Sequence, residues 1–186
     1  MRCINTILVL CAGLATGACL CQPPARPEAS SVLSCKQAAG SEPKTGEAFK
    51  SKVHNDDYHF NAEIPSGLTG WSGTGESAPF HGFTIFLDDT LESCIVFEVH
   101  VRVDEDDGAK RPGDAKTVWL GQARSWETAR RGFIDRSKIT NVKTVFVFQQ
   151  PGQVDDGSIL LVAPFAGYRE ALRIYRLFQQ RLKFER

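Results

Sequence analysis

The chain has 186 residues, 42% of them hydrophobic, and its 22 Lys and Arg balance 22 Asp and Glu. That length fits one domain behind a leader, and the hydrophobic share is enough for a core. A net charge of zero leaves no basic footprint, so the composition excludes nucleic acid as an expected partner.

The first eighteen residues have the three parts of a secretory signal: Arg2 as a positive tip, an apolar run over 7–14, and the small residues Ala15, Thr16, Gly17 and Ala18. The run is too short to span a membrane, which takes about 20 apolar residues. Residues 14–19, Leu-Ala-Thr-Gly-Ala-Cys, resemble a bacterial lipobox, although Thr16 stands where that pattern prefers Leu. The resemblance implies lipid on Cys19, and hence a membrane tether without a spanning helix. Simple cleavage near Ala18, giving a secreted or periplasmic soluble protein, is the other reading. Residues 19–49 are rich in Pro, Ala, Ser, Gly and Glu and read as a flexible tether. The expected organisation is therefore a lipoprotein-type signal at 1–18, a tether at 19–49, and a single domain at 50–186.

Cys3 and Cys11 leave with the signal, so Cys21, Cys35 and Cys94 remain for an oxidising compartment. We expect Cys35–Cys94, with Cys21–Cys94 as the competing pair. Their spacing is not that of a metal or redox site.

In the domain, Tyr58, Phe60, Ala62 and Ile64 alternate with His59, Asn61 and Glu63, as in a half-buried strand ended by Pro65. Residues 66–81 read as a long loop, and 82–87 as a second strand. The third strand, 94–103, sets Ile95, Phe97, Val99, Val101 and Val103 against a more polar opposite face. Residues 117–120 predict a short strand and 122–131 a short helix. Residues 142–148 and 159–163 predict two central apolar strands joined by a turn at 155–158. Over 166–184, Tyr168, Ala171, Leu172, Tyr175, Phe178 and Leu182 recur at helical spacing, leaving Arg169, Arg173, Arg176 and Gln180 outward. The fold class is α+β: a mostly antiparallel sheet of about five to six strands covered by a C-terminal amphipathic helix.

The segment 60–68, Phe-Asn-Ala-Glu-Ile-Pro-Ser-Gly-Leu, resembles the first strand of Mog1/PsbP-like domains, which also end in a helix on an antiparallel sheet. Residues 80–87 with Cys94 resemble uncharacterised exported proteins of proteobacteria. Neither resemblance implies a site or an activity.

Candidate chemistry is sparse. His59, His81 and His100, with Glu98, would suit zinc if neighbouring strands gathered them, but no pair has HxH or HExxH spacing. No GxSxG is present for a serine nucleophile. The acidic run 104–108 places Gly108 one position early for a calcium loop. Trp71, Phe80 and His81 lie in the long loop, where recognition residues concentrate, and form the expected interaction surface. The expected function is a non-enzymatic envelope module that binds a protein partner, of inhibitor or immunity type, with no cofactor. The alternatives are a metal-dependent or serine hydrolase and a small-ligand or lipid carrier.

Overall fold

A computed structural model of the chain describes residues 32–39, 44–73, 81–102, 111, 113–134, 136–150 and 153–185. The signal, Cys19, Cys21, Phe80 and the acidic run at 104–108 lie outside them. The compact unit is Ser31–Arg186. Its elements in chain order are α1 (Cys35–Ala38), β1 (Ala48–Phe49), β2 (Lys52–Asn55), β3 (Phe60–Glu63), β4 (Gly70–Trp71), β5 (Gly82–Phe86), β6 (Cys94–Arg102), β7 (Lys116–Leu120), β8 (Ala123–Ile134), β9 (Ser137–Gln150), β10 (Gln153–Pro164), α2 (Tyr168–Arg181) and β11 (Lys183–Phe184).

Eight strands form one antiparallel sheet in the order β1-β4-β5-β6-β10-β9-β8-β7, and β11, β3 and β2 form a second, small sheet. The α+β class stands, and the main sheet is larger than the five or six strands expected. Two of the unforeseen strands, β1 and β4, are only two residues long, below what alternation can reveal. The third is β8, over a stretch that composition assigned to a helix. Ala, Arg and Glu favour helices in isolation. Here Ala123, Ser125 and Glu127 turn to one side and are buried, while β8 hydrogen-bonds to β7 on one edge and β9 on the other. Tertiary pairing overrides propensity.

The β9–β10 hairpin is also longer than predicted. Gln153 pairs with Gln150, so the connection falls at 151–152, and Asp155 and Asp156 lie inside β10. The turn placed at 155–158 is corrected accordingly. Pro151-Gly152 carried a turn signal of its own.

The sheet's inner face carries Ile95, Phe97 and Val99 of β6, Ile159 and Leu161 of β10, and Phe146 and Phe148 of β9. Tyr175 and Phe178 of α2 close over it, with Phe60 and Phe184 from the small sheet. Phe97 meets Phe60 edge-on at 5.0 Å between centroids, and Phe146 lies 4.5 Å from Phe184. Burial of aromatic area on this scale is the main stabilising term. The helix is shorter than the 166–184 expected, because after Leu182 the chain extends and Lys183–Phe184 pair with β3.

The outer face is covered at one end by 32–39. A Cβ on Gly132 of β8 would lie 2.6 Å from the Val32 side chain. Asn141 of β9 donates to the Leu33 carbonyl at 3.1 Å. Ser34 and Gln37 form a capping box that starts α1. Cys35 then bonds Cys94 of β6, with Cα atoms 5.8 Å apart, and the expected pairing is present. The segment therefore crosses the sheet from β8 to β6. This is why Cys94 and Val96, on the nominally polar side of their strand, are buried. Within the 19–49 stretch, Val32–Ala39 and β1 thus belong to the compact unit.

Candidate functional site

Trp71 ends β4, a strand held between β1 and β5 by Ala48↔Trp71 and Trp71↔Thr84. It is half-buried against the outer-face cluster of Cys35, Phe86, Cys94 and Val96. A surface cleft of about 310 Å³ opens beside it. Leu68, Trp71, Phe86 and Leu87 supply its apolar wall, and Lys44, Asp88 and Asp89 its charged rim. That volume is at the small end of ligand sites, about 300–1,000 Å³.

The rim is built by a tight turn. Asp88 accepts hydrogen bonds from Thr90 Oγ1 at 2.8 Å, Glu92 N at 3.1 Å and Ser93 N at 2.8 Å. Burial opposes its charge, but these donors prevail and hold its carboxyl below the usual range. Leu91 takes φ 62° within the same turn. A fixed anion and a nearby Lys44 therefore frame an aromatic wall, an arrangement suited to binding.

Of the other residues expected in the loop, His81 is exposed at the head of β5, and its Nδ1 lies 3.1 Å from the Tyr58 hydroxyl. His81 and His100 face each other with ring centroids 5.6 Å apart. His59 is elsewhere in its bonding. It adopts φ 51° and its Nδ1 accepts from Gln150 Nε2 at 2.9 Å. Gln150 also donates to Asp155 Oδ2 at 2.7 Å, and Gln153 donates to Asp155 Oδ1 at 2.7 Å. Asp155 is fully buried, and burial raises its pKa against the pull of the two amides. Gln153 further donates to the Asp57 carbonyl at 3.0 Å, so the network ties the 56–59 turn to the β9–β10 hairpin. Its saturated bonding is structural. Among the described residues no group of three or more His, Cys, Asp or Glu is placed to hold a metal.

Two features escaped sequence reasoning. Arg176, expected outward on α2, turns in to Glu127 of β8 and holds it with both terminal guanidinium nitrogens, Nη2 at 2.7 Å from Oε1. Thr144 and Gln179 complete the cluster, at 3.2 and 3.3 Å from Glu127 Oε2. A long Arg beside a helix stripe gives no sign of a carboxylate on a strand misread as helix. The second feature is a set of exposed aromatics, Trp119 at 80%, Phe133 at 75% and Phe165 at 54%. Phe133 follows Arg130-Arg131-Gly132, a basic approach to a turn that could have drawn notice.

No family model matches the chain, and no curated protein matches it. Among solved structures the chain is similar to LpqN of Mycobacterium tuberculosis, described as involved in cell envelope biogenesis. That likeness has 14% identity, covers 74% of this chain and 91% of that one, and has a TM-score of 0.55. A protein of Bacteroides thetaiotaomicron shares 10% identity over 74% of this chain and 50% of that one, with a TM-score of 0.46. Cyanobacterial PsbP from Synechocystis shares 11% over 78% and 98%, with a TM-score of 0.36. The LpqN likeness shows a common fold. The expected likeness to exported proteobacterial proteins finds no support in the family or curated comparisons.

Proposed function

We propose that the chain is an exported envelope module that binds a protein partner at the Trp71 cleft, without catalysis of its own. The observation that carries this is the cleft: a half-buried Trp in a surface recess, framed by Lys44, Asp88 and Asp89. Such anchors, ringed by polar groups, dominate the energy of protein interfaces. The buried Cys35–Cys94 bond supports an oxidising compartment. The shared fold with LpqN is compatible with a place in the envelope. Lipid on Cys19, with the body on a leash, belongs to the same proposal. An interior filled by Phe60, Phe97, Phe146 and Phe178 argues against a lipid carrier that holds cargo between helix and sheet. His59 bonded to Gln150, with His81 bonded to Tyr58, is not a convergent ligand set and argues against a zinc hydrolase.

The test is photo-crosslinking in intact cells with the probe at Leu68, on the cleft wall. One partner captured in near-stoichiometric yield, and lost in Trp71→Ala, supports the reading. Equal capture by the Trp71→Ala variant would assign the partner to another surface.

A further inference from the structure

The end of the β8–β9 hairpin carries the residues of a membrane-contacting tip. Its register sets Phe133 opposite Lys138 and Arg131 opposite Thr140. Alternate strand residues share a face, so Arg131, Phe133 and Lys138 stand together. Phe165, from the turn after β10, joins them. Its N–H donates to the Lys138 carbonyl at 2.9 Å, and Lys138 Nζ lies 4.5 Å over its ring. One phenyl ring thus sits under the Lys138 ammonium and a second is its cross-strand neighbour, 54% and 75% exposed in a domain that buries its other described phenylalanines wholly or in large part.

Charge on the tip has one sign among the described residues. Arg130 is engaged by Asp114 at 2.7 Å, which leaves Arg131, Arg136 and Lys138 exposed around the rings. Asp135, the acid of this stretch, lies outside the described residues. Aromatic rings beside Arg and Lys match the chemistry of an anionic bilayer surface, with rings at the headgroup boundary and cations against phosphates.

The chain's own path sets the direction. Val32 packs on Gly132, one residue from Phe133, so everything N-terminal to Val32 joins the body beside this tip. From Cys19 to Val32 the chain reaches at most ~45 Å. A lipid on Cys19 would therefore hold the body at this end of the hairpin, from the sheet face opposite Phe133, Arg131 and Lys138.

We propose that the β8–β9 hairpin tip, with Phe133 and Phe165 amid Arg131, Arg136 and Lys138, docks on an anionic membrane surface. The proposal rests on the anchored reading only for which end of the body lies near the bilayer, and its test needs no lipid on Cys19. The full-length chain carrying Phe133→Trp is mixed with phosphatidylcholine vesicles, with or without phosphatidylglycerol, whose acyl chains are brominated. The wild-type chain supplies the background of its native tryptophans. The expected result is quenching of the added fluorescence by anionic vesicles, and little by phosphatidylcholine alone. Reversing Arg131, Arg136 and Lys138 to Glu in that background lowers the partition by about tenfold or more. Phe165→Ser lowers it less. Thermal melts confirm that the variants fold. Sedimentation with vesicles without quenching of the added tryptophan would mean that the leader alone binds, and would overturn the proposal. Equal quenching in both vesicles, or no effect of the triple reversal, would overturn it too.

Discussion

Reduction of Cys35–Cys94 removes a constraint whose size follows from the chain. The bonded residues are 59 apart in sequence. Closing a loop of that length in the unfolded chain costs about 14 cal/mol/K of entropy, so reduction destabilises by about 4 kcal/mol at 25 °C. For a domain of this size that corresponds to a melting point lower by about 8–16 °C. The comparison that isolates the term is oxidised against reduced wild type in urea, because both keep the sulfur atoms and their packing. The Cys35→Ala/Cys94→Ala double variant should fall about 1 kcal/mol further, for lost contact with Phe86, Val96 and Val162. Oxidised and reduced proteins that unfold within about 1 kcal/mol of each other would refute the reasoning. The N-terminal segment would then be held as firmly by Val32 and Leu33 as by the bond.

Gly157→Ala should destabilise by about 3 kcal/mol or more in urea unfolding, because its Cβ would collide with the Glu98 carbonyl oxygen and lie 2.8 Å from Phe146 Cζ. Phe97→Ala should cost about 3–5 kcal/mol, whereas Phe133→Ser should change stability by less than about 0.5 kcal/mol, since one ring is sealed in the core and the other is exposed. Burial holds the Tyr175 hydroxyl protonated far above the ordinary phenol range, against the pull of its hydrogen bond to Thr144 at 2.7 Å. A folded pKa raised above the unfolded value of about 10 contributes stability below that pH and loses it as pH rises further. Alkaline titration followed at 295 nm should show Tyr175 ionising only together with unfolding, and Tyr175→Phe should blunt the stability loss above pH ~10.

What the sequence disclosed and what it withheld divide along the range of the interactions. Alternation at Phe60, Ala62 and Ile64, and at Ile95, Phe97 and Val99, identified strands because one buried face imposes a period of two on a single segment. The stripe of Ala171, Tyr175 and Phe178 identified α2 by the same local logic. Cys35–Cys94 was legible because few cysteines remained once the leader was set aside. By contrast, β8 depends on partners on both edges, and the two-residue strands β1 and β4 exist only through pairing, β4 with β5 and β1 with β4. Arg176 looked outward until β8 brought Glu127 beneath it. At the candidate site, Trp71 was visible from its glycine-rich surroundings, but the cleft needs Phe86, Leu87 and the Asp88 turn, which another strand delivers.

The attachment of 32–39 links the cleft and the hairpin tip through mechanics as well as position. A leash tied to an edge strand would peel the sheet one hydrogen bond at a time. Here the load path ends at Cys94 in β6, which lies between β5 and β10 in the interior of the eight-stranded sheet. Tension on the N-terminal side therefore bears on a strand paired along both edges, while Val32 on Gly132 and Leu33 on Asn141 spread it over β8 and β9. Phe86 and Trp71 pack against the same cluster as Cys35, so the bond that takes the load also backs the wall of the cleft. Breaking it should therefore loosen the Trp71 cleft before it unfolds the helix side, whose Phe97, Phe146 and Phe178 core belongs to a separate cluster from the disulfide. Hydrogen exchange on the reduced protein separates the two: faster exchange in 32–39, β4 and β5, with β9 and β10 still protected, follows from this arrangement. Uniform loosening of both faces would mean that the sheet transmits the perturbation through its full thickness.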